Sequence, residues 1–240
     1  MRIVFLGTSH GYPEANRKCS SAMIEVGENH YFIDMGCDAM NDLINRGMKP
    51  DSVKGIFVTH MHGDHTNGLV SFLELASWAF KTVDPEICVP TNPDNVKASL
   101  GAWFALNGST IRDFRFSEVH EGVIFDDGAL KVTAYRTKHC AVSYSYLVEA
   151  EGKRVLFSGD LSKTPSNDFP HAVLGLPLDL AVLESAHFTP KEYINILSGK
   201  DVKKVCFNHY SRRWIEDVGY TVKALEPTVI LATDGLEFSF

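Results

Sequence analysis

The sequence has few cysteines and no apolar run long enough to cross a membrane. Its five cysteines are odd in number and form no Cys-x-x-Cys pair (Cys19, Cys37, Cys88, Cys140 and Cys206). This pattern argues against a disulfide framework and fits a reducing compartment, so we expect a cytoplasmic protein. The apolar segment at residues 1–6 is too short for a signal peptide, and no run reaches the roughly 20 residues of a membrane span.

The sequence also lacks linkers and an excess of positive charge. It has no Pro/Gly/Ser-rich tract, and its 45% hydrophobic and 22% charged residues are typical of a globular chain, so we expect one domain over residues 1–240. The formal net charge is −7. A protein that grips a long nucleic acid normally shows a basic patch. The local positive pairs suit a single phosphate group better (Arg17-Lys18, Lys203-Lys204 and Arg212-Arg213).

The most informative segment is Thr59-His60-Met61-His62-Gly63-Asp64-His65, which holds three imidazoles and a carboxylate. It follows a short apolar run that predicts a buried strand. Because side chains alternate along extended chain, His60 and His62 point the same way. Asp64 and His65 follow at a turn and should open the next helix. The segment can therefore offer two groups to one metal ion and two to a second.

Each of these pairs needs further ligands, because zinc prefers nitrogen, sulfur and carboxylate oxygen in nearly complete coordination. A catalytic zinc site leaves one position open for water. Three later side chains qualify, since each follows an apolar strand and precedes loop residues, where rigid scaffolds place functional groups. They are His139, Asp160 and His209.

The H-x-H-x-D-H pattern, followed by His, Asp and His in that order, resembles the metallo-β-lactamase superfamily. The resemblance implies an α/β fold, an αββα sandwich of two mixed β-sheets flanked by helices, with two divalent metal ions. By that resemblance the first ion takes His60, His62 and His139, the second takes Asp64, His65 and His209, and Asp160 bridges both. Zinc is the favoured metal for histidine-rich ligation, and manganese or iron are alternatives for mixed His/Asp sites.

Within the superfamily the chain looks most like ribonuclease Z and its smaller relatives. This resemblance is carried by residues 5–13 with Asn16-Arg17 and Ser20-Ser21, by residues 32–36 and by residues 208–214. We place Asp34 and Thr59 behind the metal-binding imidazoles, where such partners orient the rings. Ribonuclease-Z-like proteins are often dimers, so the resemblance also suggests a homodimer.

Two departures from ribonuclease Z argue against tRNA 3′ processing. That family usually carries a long tRNA-gripping arm between its third-motif histidine and its bridging aspartate. Here only residues 140–159 lie between those positions, and they predict two strands joined by Ala150-Glu151-Gly152. Leu183 stands where the family has a histidine, and Glu184-Ser185-Ala186-His187 follows, a form similar to other nuclease-like branches.

Apolar patterns and turn residues predict many strands with helices between them. The predicted strands cover residues 2–6, 21–26, 30–34, 54–58, 86–89, 130–136, 144–149, 154–157, 179–183, 203–208, 228–232 and 236–240. The predicted helices cover residues 38–46, 67–80, 93–106 and 190–198. Gly47 suits the end of the first helix, and Thr189 and Pro190 suit the start of the fourth. Thr233-Asp234-Gly235 predicts a hairpin turn between the last two strands.

The predicted chemistry is attack by a metal-bound hydroxide on a phosphodiester, because paired metals lower the pKa of a shared water toward about 7. Asp64 could orient the hydroxide, and His187, preceded by Glu184, is the candidate general acid for the leaving group. The remaining candidates are contacts to the substrate, namely Ser211, Arg213 and His10. For His187, Ser211 and Arg213 a purely structural role is the alternative.

The leading hypothesis is a binuclear metal-dependent hydrolase, a phosphodiesterase acting on a small-molecule or short nucleic-acid phosphodiester. One alternative is a tRNA 3′-processing endonuclease that grips tRNA without an arm. A second is an ester, lactone or thioester hydrolase, and a third is a non-catalytic metal-binding or redox module. The unaltered His62 and the lack of a flavin-binding segment argue against the redox module.

Overall fold

The computed structural model describes residues 1–12 and 14–240; Pro13, part of the first ribonuclease-Z-like stretch, lies outside the described residues. In chain order the strands are β1 (Arg2–Gly7), β2 (Ser21–Val26), β3 (Asn29–Ile33), β4 (Val53–Phe57), β5 (Glu86–Val89), β6 (Arg115–Glu118), β7 (Gly122–Asp126), β8 (Lys131–Thr137), β9 (Ser143–Ala150), β10 (Lys153–Phe157), β11 (Leu180–Ser185), β12 (Lys204–Tyr210), β13 (Thr228–Leu231) and β14 (Glu237–Ser239). The helices are α1 (Ala39–Asn45), α2 (Gly63–Trp78), α3 (Pro93–Ala105), α4 (Glu192–Leu197) and α5 (Ile215–Ala224). Among the described helices, none is long and apolar enough to cross a membrane.

The described strands form two seven-stranded mixed sheets, ordered β14-β1-β2-β3-β4-β5-β6 and β13-β12-β11-β10-β9-β8-β7. In the first sheet the strands are antiparallel from β14 to β3 and parallel from β3 to β6. The second sheet is antiparallel from β7 to β10 and parallel from β10 to β13. The two halves of the fold therefore repeat one arrangement.

Three apolar cores hold these layers together. The central core lies between the sheets and joins residues of both, including Phe57 of the first and Tyr146 of the second, whose rings meet edge-on at 6.5 Å. The second core packs α1, α2 and α3 on the outer face of the first sheet, and the third packs α4 and α5 on the second sheet. The predicted αββα sandwich is confirmed.

Helix ends follow local chemistry. The Asp38 carboxylate accepts a hydrogen bond from the Asn41 amide and caps α1, and Gly47, at a φ of 70°, ends the helix as predicted. Asn92 caps α3 by accepting from the Asp94 amide. The fourth helix begins at Glu192, two residues later than predicted, because Thr189 and Pro190 form the turn before it.

Three described elements were not predicted, namely β6, β7 and α5. The two strands are partly exposed and short, so they lack a continuous apolar run. The helix α5 contains β-branched residues and Gly219, which disfavour helix, and it is held by burial of Val218 against the third core. The helix α2 begins at Gly63 rather than at residue 67, because the metal-binding segment itself forms its first turn.

The prediction of a hairpin at residues 233–235 is wrong. Strand β13 pairs with β12 in the second sheet, whereas β14 pairs with β1 in the first, with Arg2 opposite Ser239. The segment therefore carries the chain from one sheet to the other. The Asp234 carboxylate fixes this crossing by accepting from the Thr8 hydroxyl and the Lys18 amide, each at 2.7 Å.

Candidate metal centre

Seven candidate donor residues converge at one edge of the two sheets. His60 and His62 follow β4, and Asp64 and His65 lie in the first turn of α2; the others follow or end strands of the second sheet, namely His139 after β8, Asp160 after β10 and His209 near the end of β12. Parallel strands place their carboxyl ends at the same edge, which is why segments so distant in sequence meet here. The structure brings all seven predicted side chains together.

Their donor atoms form two adjacent groups with a shared carboxylate. In the first group, His62 Nδ1 lies 3.0 Å from His60 Nε2 and 3.3 Å from His139 Nε2. The second group contains Asp64, His65 and His209, with donor atoms within 4.8 Å of one another. Asp160 reaches both groups.

The Asp160 carboxylate lies between the two groups of donors. Its Oδ2 atom is 3.7 Å from His60 Nε2 and from His139 Nε2, and 3.3 Å from His209 Nε2. Its Oδ1 atom is 3.5 Å from His65 Nε2. The carboxylate is positioned to be shared.

Two buried atoms in this cluster, His65 Nε2 and Asp160 Oδ1, have no hydrogen-bond partner among the described residues. An unpaired buried polar atom costs about 1–3 kcal/mol, so native proteins rarely leave one without a partner. Imidazole nitrogens and carboxylate oxygens suit zinc, manganese and iron. The residues present therefore fit divalent metal ions.

Metal binding requires neutral imidazoles and an ionised carboxylate, and electrostatics favour these states for all but one of the donors with a shifted pKa. Burial lowers the pKa of His60 to about 2, assisted by the neighbouring His65, and burial also lowers the pKa of His139. Burial opposes the charge on Asp160, but His209 and His65 outweigh it and hold the pKa of that carboxyl well below its usual range. Burial likewise opposes the charge on His65, yet Asp160 and Asp34 raise its pKa, and a bound cation would replace that proton.

Asp34 and Thr59 lie behind the imidazoles, where the sequence placed them. The Asp34 Oδ1 atom accepts from the Thr59 amide at 2.7 Å, and its Oδ2 atom lies 2.7 Å from His65 Nδ1. The Thr59 hydroxyl lies 3.1 Å from His60 Nδ1. A Cβ at Gly36 would lie 1.9 Å from the Asp64 carbonyl oxygen, so glycine lets this loop pack directly against the metal-binding turn.

His187 lies beside the cluster and is held by Glu184. Its Nδ1 atom is 2.9 Å from Glu184 Oε1 and 3.9 Å from Asp160 Oδ2. Burial opposes the charged imidazole, but the Glu184 carboxylate outweighs it and raises the pKa of His187. The buried Glu184 also accepts from the amides of Leu161 and Ala186, so it ties His187 to the loop that follows Asp160.

A cleft of about 690 Å³ opens over the cluster. The three predicted substrate contacts, His10, Ser211 and Arg213, all line it. Arg213 also donates to the Ala186 carbonyl at 2.9 Å. Its position is therefore compatible both with contacting a substrate in the cleft and with holding the loop at Ala186. Lys163 lines the same cleft and was missed, because nothing in its sequence context marks it.

For two further residues in the loops around the site, Arg17 and Asp168, the structure shows contacts that the sequence did not predict. Arg17 was a candidate phosphate contact, but its side chain is only 6% exposed and is fully engaged with protein partners, so that prediction is wrong. Asp168 was not predicted. Its carboxylate accepts from the amide of Lys138, which precedes His139, and from the amide of Ser162, in the loop that contains Asp160. Such long-range backbone contacts leave no local sequence signal.

The predicted pair of strands between His139 and Asp160 is confirmed. Strands β9 and β10 pair directly, with Ala150 opposite Lys153, and Glu151 and Gly152 form the turn at φ values of 51° and 71°. Residues 140–159, all of them described, thus form a compact hairpin.

The fold and the donor cluster define a metallo-β-lactamase-fold protein of the ribonuclease Z-like group. Ribonuclease Z from Geobacillus kaustophilus is 32% identical over 152 residues, which cover 62% of this chain and 48% of that protein. Ribonuclease BN from Salmonella gallinarum is 31% identical over 158 residues, 64% of this chain and 51% of the relative. The chain spans about half the length of these curated relatives.

Solved structures support the same fold. The short form of human tRNase Z (ELAC1) superposes with a TM-score of 0.76 at 22% identity, covering 100% of this chain and 99% of that one. The Bacillus subtilis metallo-β-lactamase-fold protein YhfI superposes with a TM-score of 0.79 at 16% identity, covering 99% and 98%. Residues 1–217 match the family described as "Anti-Pycsar protein Apyc1", and the chain belongs to that family.

Proposed function

We propose that the protein is a binuclear metal-dependent phosphodiesterase that cleaves a small-molecule or short nucleic-acid phosphodiester. The observation that carries this proposal is a cluster of seven metal-donor side chains, with orphaned buried atoms, beneath a cleft lined by Ser211 and Arg213. The names of the ribonuclease Z and ribonuclease BN relatives support phosphodiester chemistry.

Two divalent cations, most simply zinc, would occupy the two groups of donors. His60, His62 and His139 would hold the first, and the group of Asp64, His65 and His209 would hold the second, with Asp160 shared between them. When bound, the pair supplies a water-derived nucleophile at neutral pH and offsets negative charge on the phosphodiester.

The side chains around the cluster supply positioning and a proton. Because His187 Nδ1 faces Glu184, its Nε2 atom is left to donate a proton to the leaving-group oxygen. Glu184 favours the imidazolium form, which carries that proton on Nε2, and holds the ring in place, while Asp64 orients the nucleophile. Ser211 and Arg213 bind phosphate oxygens, since a guanidinium suits the geometry of phosphate.

The cleft supports a substrate of about nucleotide size. Lys163 and Arg213 are the cationic side chains that line it, which suits one phosphate rather than a long polyanion. Tyr12, 78% exposed and also lining the cleft, offers a surface for stacking a base. The compact hairpin of residues 140–159 leaves no arm between the metal-binding loops.

A panel of substrates tests this proposal. The protein is loaded with zinc, manganese or iron and assayed on bis(4-nitrophenyl) phosphate, a cyclic mononucleotide, a dinucleotide, a carboxylic ester and a precursor tRNA. We expect metal-dependent cleavage of the small diesters, and loss of both metal and turnover in Asp160→Ala. Full activity of metal-free Asp160→Ala, or ester turnover above diester turnover, would overturn it.

Processing of tRNA 3′ ends is the second candidate, because the curated relatives are named ribonuclease Z and ribonuclease BN. Cleavage of the precursor tRNA after the discriminator base, at a rate above that for the small diesters, would favour it.

We further propose that the protein is a single-domain cytoplasmic protein that forms a homodimer. Light scattering after gel filtration tests the homodimer directly.

A further inference from the structure

The buried side chain of Arg17 connects the loop after β1 to the strand that carries His209. Its guanidinium donates to the carbonyl oxygen of Thr8, to the Thr8 hydroxyl at 3.2 Å and to the carbonyl oxygen of Tyr210 at 3.1 Å. It also lies over the Tyr210 ring, with 3.7 Å between the guanidinium carbon and the ring centroid, and pairs with Glu14. The side chain thus bridges two segments separated by almost the whole chain.

The two residues that Arg17 holds flank a contact of the metal centre. Thr8 precedes Ser9 and Tyr210 follows His209, and the Ser9 carbonyl oxygen lies 3.0 Å from His209 Nδ1. That contact directs the other ring nitrogen, His209 Nε2, towards Asp160 Oδ2 at 3.3 Å. Arg17 therefore clamps the backbone on both sides of the bond that orients a metal-donor imidazole.

The backbone at His209 needs such a clamp. Its φ of 50° lies in the left-handed region, which a non-glycine residue keeps only when its surroundings enforce it. The hydrogen bond from Arg17 to the next carbonyl, that of Tyr210, acts directly on this turn.

Arg17 is also connected, through Glu14, to His10, which lines the cleft. Glu14, its ion-pair partner, also lies 3.1 Å from His10 Nε2. On the other side, Asp234 accepts from the Thr8 hydroxyl and so holds the same loop from the sheet crossing. A planar guanidinium can serve several acceptors and a ring face at once, which a lysine ammonium cannot.

We propose that Arg17 is a positioning residue that fixes His209 and thereby the affinity of the second group of donors, Asp64, His65 and His209. This inference rests on the proposed two-cation centre. It distinguishes the second group from the first, because the hydrogen bonds of Arg17 within the described residues reach Thr8, Glu14 and Tyr210 and none of the segments that carry His60, His62 or His139.

The test compares Arg17→Gln and Arg17→Lys with Arg212→Gln. Arg212 is a matched control: it also pairs with Glu14, at 3.1 Å, but its side chain is 62% exposed and bonds neither Thr8 nor Tyr210. Zinc affinities are measured by competition with a chromophoric chelator, and the His209 imidazole is followed by ¹⁵N NMR in metal-free protein. Thermal unfolding of each variant reports whether it folds.

We expect Arg17→Gln to weaken one of the two zinc equivalents by about 10–100-fold, the usual effect of losing an outer partner of a metal ligand. The other equivalent should change less than about twofold, Arg17→Lys should recover only part of the loss, and Arg212→Gln should match the wild type. The His209 resonances should shift in Arg17→Gln, shift less in Arg17→Lys and stay unchanged in Arg212→Gln.

Equal zinc affinities and unchanged His209 resonances in Arg17→Gln would overturn the proposal, as would equal weakening of both equivalents. If Arg17→Gln does not fold, Arg17→Lys carries the same comparison. Should the wild type bind fewer than two zinc equivalents, the two-cation proposal fails, and the NMR comparison in metal-free protein still decides the role of Arg17.

Discussion

Replacing Asp34 with asparagine tests how far the metal centre depends on a residue that would not touch metal. The Asp34 carboxylate accepts from the Thr59 amide and hydroxyl and lies 2.7 Å from His65 Nδ1. Asparagine keeps the shape but turns one oxygen into an amide donor. That donor must face either the Thr59 amide or the His65 ring, so one buried donor loses its acceptor.

The size of both effects of Asp34→Asn follows from the contacts of the two carboxylate oxygens of Asp34. One buried donor without a partner costs about 1–3 kcal/mol, so the free energy of unfolding of the metal-free protein should fall by about 2 kcal/mol. The ring of His65 also loses the anion that orients it, and zinc affinity should fall by about 10–100-fold.

Urea unfolding of the metal-free protein and competitive zinc titration measure both effects. Asp42→Asn is the control, since Asp42 pairs with Lys18 at the surface and contacts no metal-donor residue. The reasoning is refuted if Asp34→Asn binds zinc within about twofold of the wild type, given that outer partners usually contribute at least tenfold.

Three further predictions address the fold and the chemistry. Gly159→Ala should cost about 2–4 kcal/mol of stability, because a Cβ there would lie 2.6 Å from the Tyr144 carbonyl oxygen at a φ of 56°. Gly152→Ala, with φ 71° and open space, should cost only about 1–2 kcal/mol, and equal costs in urea unfolding would contradict the steric argument. Glu184→Gln should lower kcat about 10–100-fold for poor leaving groups and less for nitrophenol, which needs no proton; a uniform loss would speak against an acid held by that carboxylate. Burial lowers the pKa of His30 from its usual value near 6.5, so the unfolded chain binds a proton that the folded one refuses, and stability falls as pH drops through that value. The stability difference between the wild type and His30→Gln should therefore shrink from about pH 8 to pH 5 in urea unfolding, and a constant difference would count against it.

The parts of the fold that were predictable are those with strong local patterns. The buried strands β2 and β5 match their predicted bounds, because a short and mainly apolar run between turn residues marks each of them. The helix α3 begins at Pro93 as predicted, since Asn92 and proline mark its start. Short edge strands such as β6 carry no comparable signal, because their pairing partner rather than their composition decides their structure.

In the candidate site, too, some residues were predictable from local sequence patterns and others were not. Four of its donors lie within the six residues from His60 to His65, and the others directly follow or end buried strands, so the sequence pattern alone indicates them. The contacts of Arg17, Asp168 and the Ser9 carbonyl could not be predicted. Their roles depend on contacts across tens to hundreds of residues, and backbone acceptors have no residue type to recognise.

The pairing of β14 with β1 has a consequence for biosynthesis. Arg2 and Ser239 lie opposite each other in the first sheet, so one edge of β1 stays unpaired until residues 237–239 have left the ribosome. Contacts of such long sequence separation form late and slowly, and an open strand edge is a site of aggregation until it is covered. The nascent chain can meanwhile complete the second sheet through β13, so the pairing of residues 237–239 with β1 is the step that completes the first sheet.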